Sequence, residues 1–425
     1  MILHRQLNDD EMRLSRRFYL IYNLINGFSY MCLGETVILL LAVNLGCSDT
    51  VVAILGSMLF WGFLLLPLGK IMTARCGAAA SQANFWVLRN LAALLVAGAA
   101  PAALFFSPQA AAVLLITGSF LFYGFRAAGV VMSQPLVGEI CPSDEQGRFV
   151  FRSWCCFYCC GLLALIVIST LLRYNSSTWM LFAVVVTGTV AGLISSSFVR
   201  RIRESGEIMV SARQSLNTAI KEAMRNKDVV RQMIAGMCCN TATIMLAPIS
   251  MLAVKRGYGV SDSSALLCSL VQYLGSIFIC VYLGKMADRF GSRKIVLSSF
   301  YMLYLIPLFW LLAPGKCYWF VIWLPFILSP CGLVACSVGL QQYFLRSVPK
   351  NQQIAASMVI SVATGVASGL LGSVLSTLFL KAATLLNNSG EVLTVYRIYF
   401  AGVLILLPVL SIFIHRLRSF EINSK

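Results

Sequence analysis

Charge is what this sequence has least of. Charged residues make up 12% of its 425 residues, while 59% are hydrophobic. A soluble domain carries about 25% charged residues, so there is too little polar surface here for an ordinary water-soluble enzyme. Histidine is almost missing: His4 and His415 are the only two, both near the ends of the chain. That excludes histidine-based metal or nucleophile chemistry inside the apolar runs. No Gly-x-x-x-x-Gly-Lys-Ser/Thr loop is present, so an ATP-driven pump is excluded as well. Acidic residues number 16 against 33 lysines and arginines. Cysteine is plentiful at 15 residues, and Cys155, Cys156, Cys159 and Cys160 cluster in one apolar run. With no histidine nearby, these thiols read as small hydrophobic packing groups, and no metal site or cofactor is expected.

Twelve apolar segments are present, at 18–45, 50–71, 79–105, 109–138, 149–172, 178–199, 230–254, 264–286, 295–313, 318–345, 353–380 and 396–416. Each is long enough to cross a bilayer as a helix, and none shows the alternation of barrel strands. The first 17 residues are charged and the first apolar run is too long for a cleaved signal. The net charge of +17 is distributed by position, so it reads as membrane topology, and no nucleic-acid partner is expected. With the N-terminus inside, inside segments hold 25 of the 33 basic residues. Outside segments hold six: Arg173, Lys255, Arg256, Lys316, Lys381 and Arg397. The count predicts cytoplasmic termini in a multi-pass protein of the cell (inner) membrane.

The fold class expected is therefore an all-α membrane protein of 12 transmembrane helices in two six-helix halves. The divisions are a cytoplasmic tail over 1–17, a first half over 18–199, a linker over 200–229, a second half over 230–416 and a tail over 417–425. The linker is the only sizeable polar stretch. Within it, 212–226 reads either as an amphipathic surface helix with Leu216, Ile220, Ala223 and Met224 on one side, or as a solvated connection. The halves echo each other. Gly69-Lys70-Ile71-Met72-Thr73-Ala74-Arg75-Cys76-Gly77 follows the second span, and Gly284-Lys285-Met286-Ala287-Asp288-Arg289-Phe290-Gly291-Ser292-Arg293-Lys294 follows the eighth. A further echo places Glu139 three residues before Pro142 and Arg346 three residues before Pro349. Six-span repeats are a transporter signature.

The second turn resembles the loop motif Gly-x-x-x-Asp-Arg-x-Gly-x-Arg/Lys-Arg/Lys of the major facilitator superfamily, matched by Gly284, Asp288, Arg289, Gly291, Arg293 and Lys294. The resemblance implies a secondary transporter working by alternating access. The first-half copy departs from the motif, with Ala74 in the place of the aspartate. This predicts swapped polarity at a cytoplasmic gate, with Glu139 pairing Arg75 or Lys70 and Asp288 pairing Arg346. The alternative is that these charges only set topology.

Two charges lie near the middle of spans. Glu35 is about 17 residues into the first and Arg126 about 17 into the fourth, which runs the opposite way. Each costs about 2.5–3.5 kcal/mol on insertion scales if uncompensated. They are expected to face each other or a wet cavity, which the resemblance places between helices 1 and 4. A carboxylate beside an arginine is a tunable proton site, and an anion that takes Arg126 would release Glu35 to bind a proton. A static ion pair and a sodium site are the alternatives. Arg89, in the third span, reads as snorkelling to lipid phosphates, or as a cavity group. Asn26, Gln134, Asn240 and Gln341 complete the candidate cavity, with Asn26 and Asn240 favoured because the resemblance makes helices 1 and 7 the rocking pair. Pro325 and Pro330 are expected gating kinks. Asn175-Ser176-Ser177 and Asn387-Asn388-Ser389 fit the glycosylation pattern.

The function expected is secondary active transport of a small polar or anionic solute, as a monomer in the lipid bilayer. The coupling ion is the proton, or sodium, and symport is favoured. A drug or lipid exporter on the same fold is the alternative, and a non-transporting sensor or receptor is the alternative of a different class.

Overall fold

In lipid an apolar segment satisfies its own backbone most simply as a helix, and the computed structural model is helical almost throughout. It describes residues 2–419 except 4, 48–50, 52, 53, 56, 57, 60, 143, 176, 214, 215, 261, 350, 351, 388 and 389. Only the backbone is described at 35, 36, 216, 219, 262–266, 269 and 284–288. In chain order the elements are β1 Ile2–Leu3, α1 Asp9–Leu33, α2 Glu35–Asn44, α3 Leu66–Cys76, α4 Ala78–Ala97, α5 Ala99–Phe105, α6 Pro108–Val130, α7 Ser133–Ile140, α8 Gln146–Tyr174 and α9 Thr178–Arg200. Then come β2 Glu204–Ser205, α10 Glu207–Ala212, α11 Leu216–Arg225, α12 Lys227–Leu252, α13 Asp262–Phe290, α14 Ser292–Met302 and α15 Leu305–Leu312. The chain closes with α16 Trp319–Leu328, α17 Ser337–Ser347, α18 Gln353–Val362, α19 Ser368–Leu386 and α20 Val392–His415.

Among the described residues, ten helical stretches are long and apolar enough to cross a membrane. They match ten of the twelve expected spans. The other two, 50–71 and 264–286, run over residues outside the full description. There α3 and the apolar stretch Leu270–Leu283 of α13 are seen. The fold is an all-α, multi-pass membrane fold.

Helix starts follow local chemistry. Asn8 caps α1, its side chain accepting from Glu11 N while the Glu11 carboxylate accepts from Asn8 N, which satisfies two orphan donors reciprocally. Ser107 caps α6 and Ser177 caps α9 in one direction only, each side chain accepting from a backbone N–H, of Ala110 and Met180.

Helix interruptions follow proline and glycine. The first span breaks at Gly34, whose extended backbone (ψ 165°) ends α1 and starts α2. The fourth breaks between α6 and α7. Pro135 has no N–H to offer the Val131 carbonyl four residues earlier, and the Ser357 hydroxyl donates to that carbonyl instead at 3.3 Å. In the tenth span Pro330 likewise leaves the Phe326 carbonyl open, and the Ser329 hydroxyl donates to it at 3.2 Å. A π-helical segment, Cys331–Cys336, follows directly.

The chain divides into two compact units. One comprises Met1–Ser143, Cys156–Ile220 and Pro349–Met358. The other comprises Asp144–Cys155, Lys221–Val348 and Val359–Lys425. Helices α8 and α18 are thus each shared between units. The first unit's core gathers Leu41, Ala93, Val96, Leu115, Phe122 and Val185, all buried. Small residues let its helices approach closely: a Cβ on Gly118 would stand 2.9 Å from the Val96 nitrogen. The second unit's core centres on Trp310, stacked on Phe400 at 5.6 Å, with the indole donating to Ser250 Oγ at 2.9 Å.

The two echoing turns share a backbone requirement. Gly77 (φ +85°) separates α3 from α4, and Gly291 (φ +79°) separates α13 from α14. Both sit in the region that favours glycine.

The polar connection is not a solvated strand of chain. Ile202, Glu204, Ile208 and Ala212 are buried, and Glu204 and Ser205 pair in parallel with Ile2 and Leu3. The expected 212–226 helix is seen as the shorter α11, and α10 precedes it. Ala223 is fully buried, so its apolar side is partly taken up by the protein itself.

Candidate solute site

The polar centre of the first unit is built on one face of α4. Gln82, Trp86, Arg89 and Asn90 are spaced by 4, 7 and 8 from the first, which stacks them on one side of a helix. All four are buried. Arg89 is 1% exposed, which overturns the snorkelling reading: its guanidinium lies inside the bundle, away from lipid phosphates. It donates to Asn26 Oδ1 at 3.1 Å, Ser29 Oγ at 3.3 Å and Asn90 Oδ1 at 3.3 Å. It also lies over the Trp86 ring at 4.9 Å and the Phe122 ring at 5.5 Å. Its Nε is buried without a hydrogen-bond partner. Its acceptors among the described residues are all neutral.

Asn26 is the hub of this arrangement, since its Oδ1 also accepts from Trp86 Nε1 at 3.1 Å. Gln82 extends the network, donating to Ser133 Oγ at 3.1 Å and Tyr22 Oη at 3.3 Å. Ser29 Oγ donates to the Gly188 carbonyl at 2.8 Å and ties α1 to α9.

Arg126, on the last turns of α6, is half-buried. Its guanidinium stands 4.7 Å from the Tyr30 ring centroid. Among the described residues it has no hydrogen-bond or ion-pair partner. The two arginines are near enough to repel, and Tyr22 lies within electrostatic reach of both. Burying a guanidinium is tolerable only with compensation. For Arg89 that comes from three neutral oxygens and two rings, and for Arg126 from one ring.

Glu35 is the first residue of α2, immediately after the break at Gly34. Its side chain lies outside the described residues. A helix N-terminus near the middle of a span is a favourable place for negative charge.

The remaining candidates are dispersed. Gln134, on α7, has a buried Oε1 without a partner. Asn240 Nδ2 donates to the Thr364 carbonyl at 2.5 Å, in the π-helical segment Ala363–Ala367, so it braces two helices. Gln341 accepts from Trp154 Nε1 at 3.3 Å. An apolar groove of about 490 Å³, lined by Ile54, Met58, Trp61, Ile116, Thr117 and Phe120, carries no charged group and does not suit a polar solute.

The expected gate pairs fare unevenly. Arg75 forms no ion pair among the described residues. Glu139 Oε1 instead accepts from Ser205 N at 2.7 Å, because the connection after α9 folds back onto the end of α7. Lys70 donates to the Ala212 carbonyl at 2.9 Å. Of Gly284 and Asp288 only the backbone is described, so the pairing of Asp288 with Arg346 lies outside the described residues. Arg289 is exposed. Arg293 donates to the His415 carbonyl at 3.0 Å, a cation at the C-terminus of α20. Of the two glycosylation patterns, residues 176, 388 and 389 are not described.

Sequence reasoning missed the α4 face and Glu204, whose carboxylate accepts from Ala78 N at 2.7 Å and Ala79 N at 3.1 Å beside the first-half turn. The first was signalled by its helical spacing. The second depends on chain folding far from the turn it touches.

Comparison with known proteins places the whole. The family model described as Major Facilitator Superfamily matches residues 19–373. No curated protein sequence matches the chain. Among solved structures, the proton:xylose symporter XylE bound to 6-bromo-6-deoxy-D-glucose superposes with a TM-score of 0.66 at 15% identity, over 95% of this chain and 95% of that one. A variant of the E. coli fucose:proton symporter FucP gives 0.67 at 12% identity, over 96% and 98%. The human organic anion transporter MFSD10 (TETRAN) gives 0.61 at 13% identity, over 93% and 99%. With this match over most of its length and this fold, the chain belongs to the major facilitator superfamily, and it is a multi-pass membrane transporter and not an enzyme.

Proposed function

We propose that this transporter moves a small anionic solute by alternating access, and that Arg126 is the group the anion meets. The observation that carries this is a pair of intramembrane guanidinium groups with no carboxylate among their described partners. An uncompensated arginine near mid-membrane costs about 2.5–3.5 kcal/mol on insertion scales, so a retained one points to a ligand. Arg89, fixed behind Asn26 and Trp86, supplies positive field. Arg126, held by one aromatic face, keeps its five donors for a carboxylate or similar oxyanion. Glu35 is the proposed proton site: in the empty transporter its carboxylate is proposed to face Arg126 in the anion's place, and when the anion takes Arg126 the carboxylate loses a favourable neighbour and binds a proton more readily. This gives proton-coupled symport.

The reading places both termini in the cytoplasm of the cell (inner) membrane, supported by the basic-residue count. It takes 18–199 and 230–416 as the two halves and the monomer as the working unit. A lipid head group at Arg89 loses its support, since that side chain is buried. The solved relatives include sugar symporters and an organic anion transporter at similar identity, so likeness alone does not choose the solute.

The test is thermal stabilisation of the detergent-purified protein by a panel of carboxylates, sulfonates, sugars and amino acids. Anions are expected to stabilise the wild type and not Arg126→Gln. Neutral sugars stabilising both proteins equally would overturn the reading. Counterflow with the stabilising anion separates transport from sensing.

A further inference from the structure

Three helices of the first unit each bring one half-buried side chain to the same place. On α6, Phe122 and Tyr123 are buried and Arg126 is half-buried. On α1, Asn26, Ser29 and Leu33 are buried and Tyr30 is half-buried. On α8, Gly161, Ala164 and Ile168 follow Phe157 by 4, 7 and 11 residues, which puts them on one helical face. Those three are buried, and Phe157 is half-buried. The half-buried groups meet in series. The Arg126 guanidinium stands 4.7 Å from the Tyr30 ring centroid, and that centroid lies 5.8 Å from the Phe157 ring, with the planes 45° apart. Phe157 meets Tyr158 edge-on at 5.5 Å. Gly27 sets this arrangement: a Cβ there would strike the Phe157 carbonyl oxygen, so α1 and α8 touch backbone to backbone. Tyr30, one turn further on α1, then falls beside the Phe157 ring.

The polar groups next to Arg126 are already engaged with one another. Asn26 Oδ1 accepts from Trp86 and Arg89, and Ser29 accepts from Arg89 and donates to the Gly188 carbonyl. Asn90 accepts from Arg89 and donates to the Trp86 carbonyl at 2.6 Å. Gln134 lies beyond the break that ends α6. Among the described residues, a solute at Arg126 therefore meets one free guanidinium, the Tyr30 hydroxyl and two rings. One cation balances one negative charge, and a second carboxylate would enter uncompensated against the rings. Sugar hydroxyls would lose water there without new partners. On the reading that the anion docks on Arg126, we infer that the solute is an aryl monocarboxylate, with its carboxylate on Arg126 and its flat ring against Tyr30 and Phe157.

Charge and ring contribute separately, which makes the assignment measurable. Aromatic rings pair offset or edge-on, and the half-buried Phe157 leaves ring surface for such a pair. Taking a phenyl ring out of water and pairing it here lowers the dissociation constant by about tenfold or more. A saturated ring of the same size keeps the burial and loses the pairing, a difference of about threefold. The carboxylate anchors the solute, because a bidentate guanidinium–carboxylate contact is the strongest single interaction available at the site.

The experiment is a thermal-shift titration of the detergent-purified full-length protein with benzoate, cyclohexanecarboxylate, acetate, succinate and the uncharged benzamide, read as apparent dissociation constants. Wild type is run beside Phe157→Leu and Arg126→Gln. For the wild type, benzoate is expected to bind about tenfold or more tighter than acetate, succinate or benzamide, and about threefold tighter than cyclohexanecarboxylate. Phe157→Leu is expected to narrow the gap between benzoate and acetate to about threefold or less by weakening benzoate alone, which a general loss of stability would not do. Arg126→Gln is expected to lose all four anions. Acetate, succinate or cyclohexanecarboxylate matching benzoate in the wild type, and still lost in Arg126→Gln, overturns the aryl assignment and leaves the anion reading standing. Benzoate binding equally to Arg126→Gln, benzamide matching benzoate, or no binding of any carboxylate overturns the anion reading and the aryl assignment with it. Should Phe157→Leu not fold, the wild-type comparisons still decide.

Discussion

Replacing Arg89 with methionine separates a charge kept for function from one kept for stability. The guanidinium makes three hydrogen bonds, to Asn26, Ser29 and Asn90. Side-chain hydrogen bonds between membrane helices average about 0.6 kcal/mol each, so their loss costs about 2 kcal/mol. Loss of the contacts with Trp86 and Phe122 adds about 0.5–2 kcal/mol. Against this, removing a buried intramembrane charge returns at most about 2.5–3.5 kcal/mol, the helix-centre figure, and methionine is long and flexible enough to fill the space. The two sides nearly cancel. Arg89→Met is expected to change the unfolding free energy by less than about 2 kcal/mol. Arg89→Ala has the same electrostatics but leaves a cavity, and is expected to lose about 2–5 kcal/mol more. The assay is denaturant unfolding in detergent, run beside the anion panel. Arg89→Met should unfold near the wild type and lose most of its stabilisation by anions. A loss above about 4 kcal/mol would show that the guanidinium is structural. Unchanged stabilisation by anions would show that its field does not reach the solute.

Gly77→Ala forces a side chain into a φ of +85° and against the Glu204 carboxylate, and should cost about 1–3 kcal/mol in thermal or denaturant unfolding; an unchanged midpoint would refute the steric account. Ser357→Ala removes the hydroxyl that serves the Val131 carbonyl left open by Pro135, and is expected to cost about 1 kcal/mol, read the same way, with Ser357→Thr close to wild type. Glu35→Gln should abolish the pH dependence of anion stabilisation while leaving the anion response itself, and a pH dependence that persists assigns the proton to another group.

How much of this was legible differs by residue. Arg126 was, because a charge deep in an apolar run is costly wherever the run goes. For Arg89 the favoured reading, snorkelling, had the wrong surroundings and only its alternative, a cavity group, put it inside, since one-dimensional depth cannot tell a lipid-facing side of a helix from a buried one. The spacing of Gln82, Trp86, Arg89 and Asn90 held that information. Asn240 was named for its polarity in the seventh span, but the carbonyl that its Nδ2 answers belongs to a π-helical segment, and such segments have no reliable sequence signal. The pairing of Glu139 with Arg75 or Lys70 was inferred from the turn and the end of the fourth span alone, which could not show that Glu139 also accepts from the backbone of Ser205.

Composition and hydropathy by themselves determined that this chain is helical and crosses a membrane many times. Those properties follow from the cost of an unsatisfied backbone in lipid, and every long apolar run obeys it independently of its neighbours. The tertiary structure alone decided which neutral oxygens surround Arg89 and which hydroxyl serves the carbonyl opened by Pro135. It also decided that Glu204 supplies the acid the first turn lacks. Hydrogen bonds act over about 3 Å, and nothing in the order of residues brings positions 78 and 204 within that distance until the helices pack.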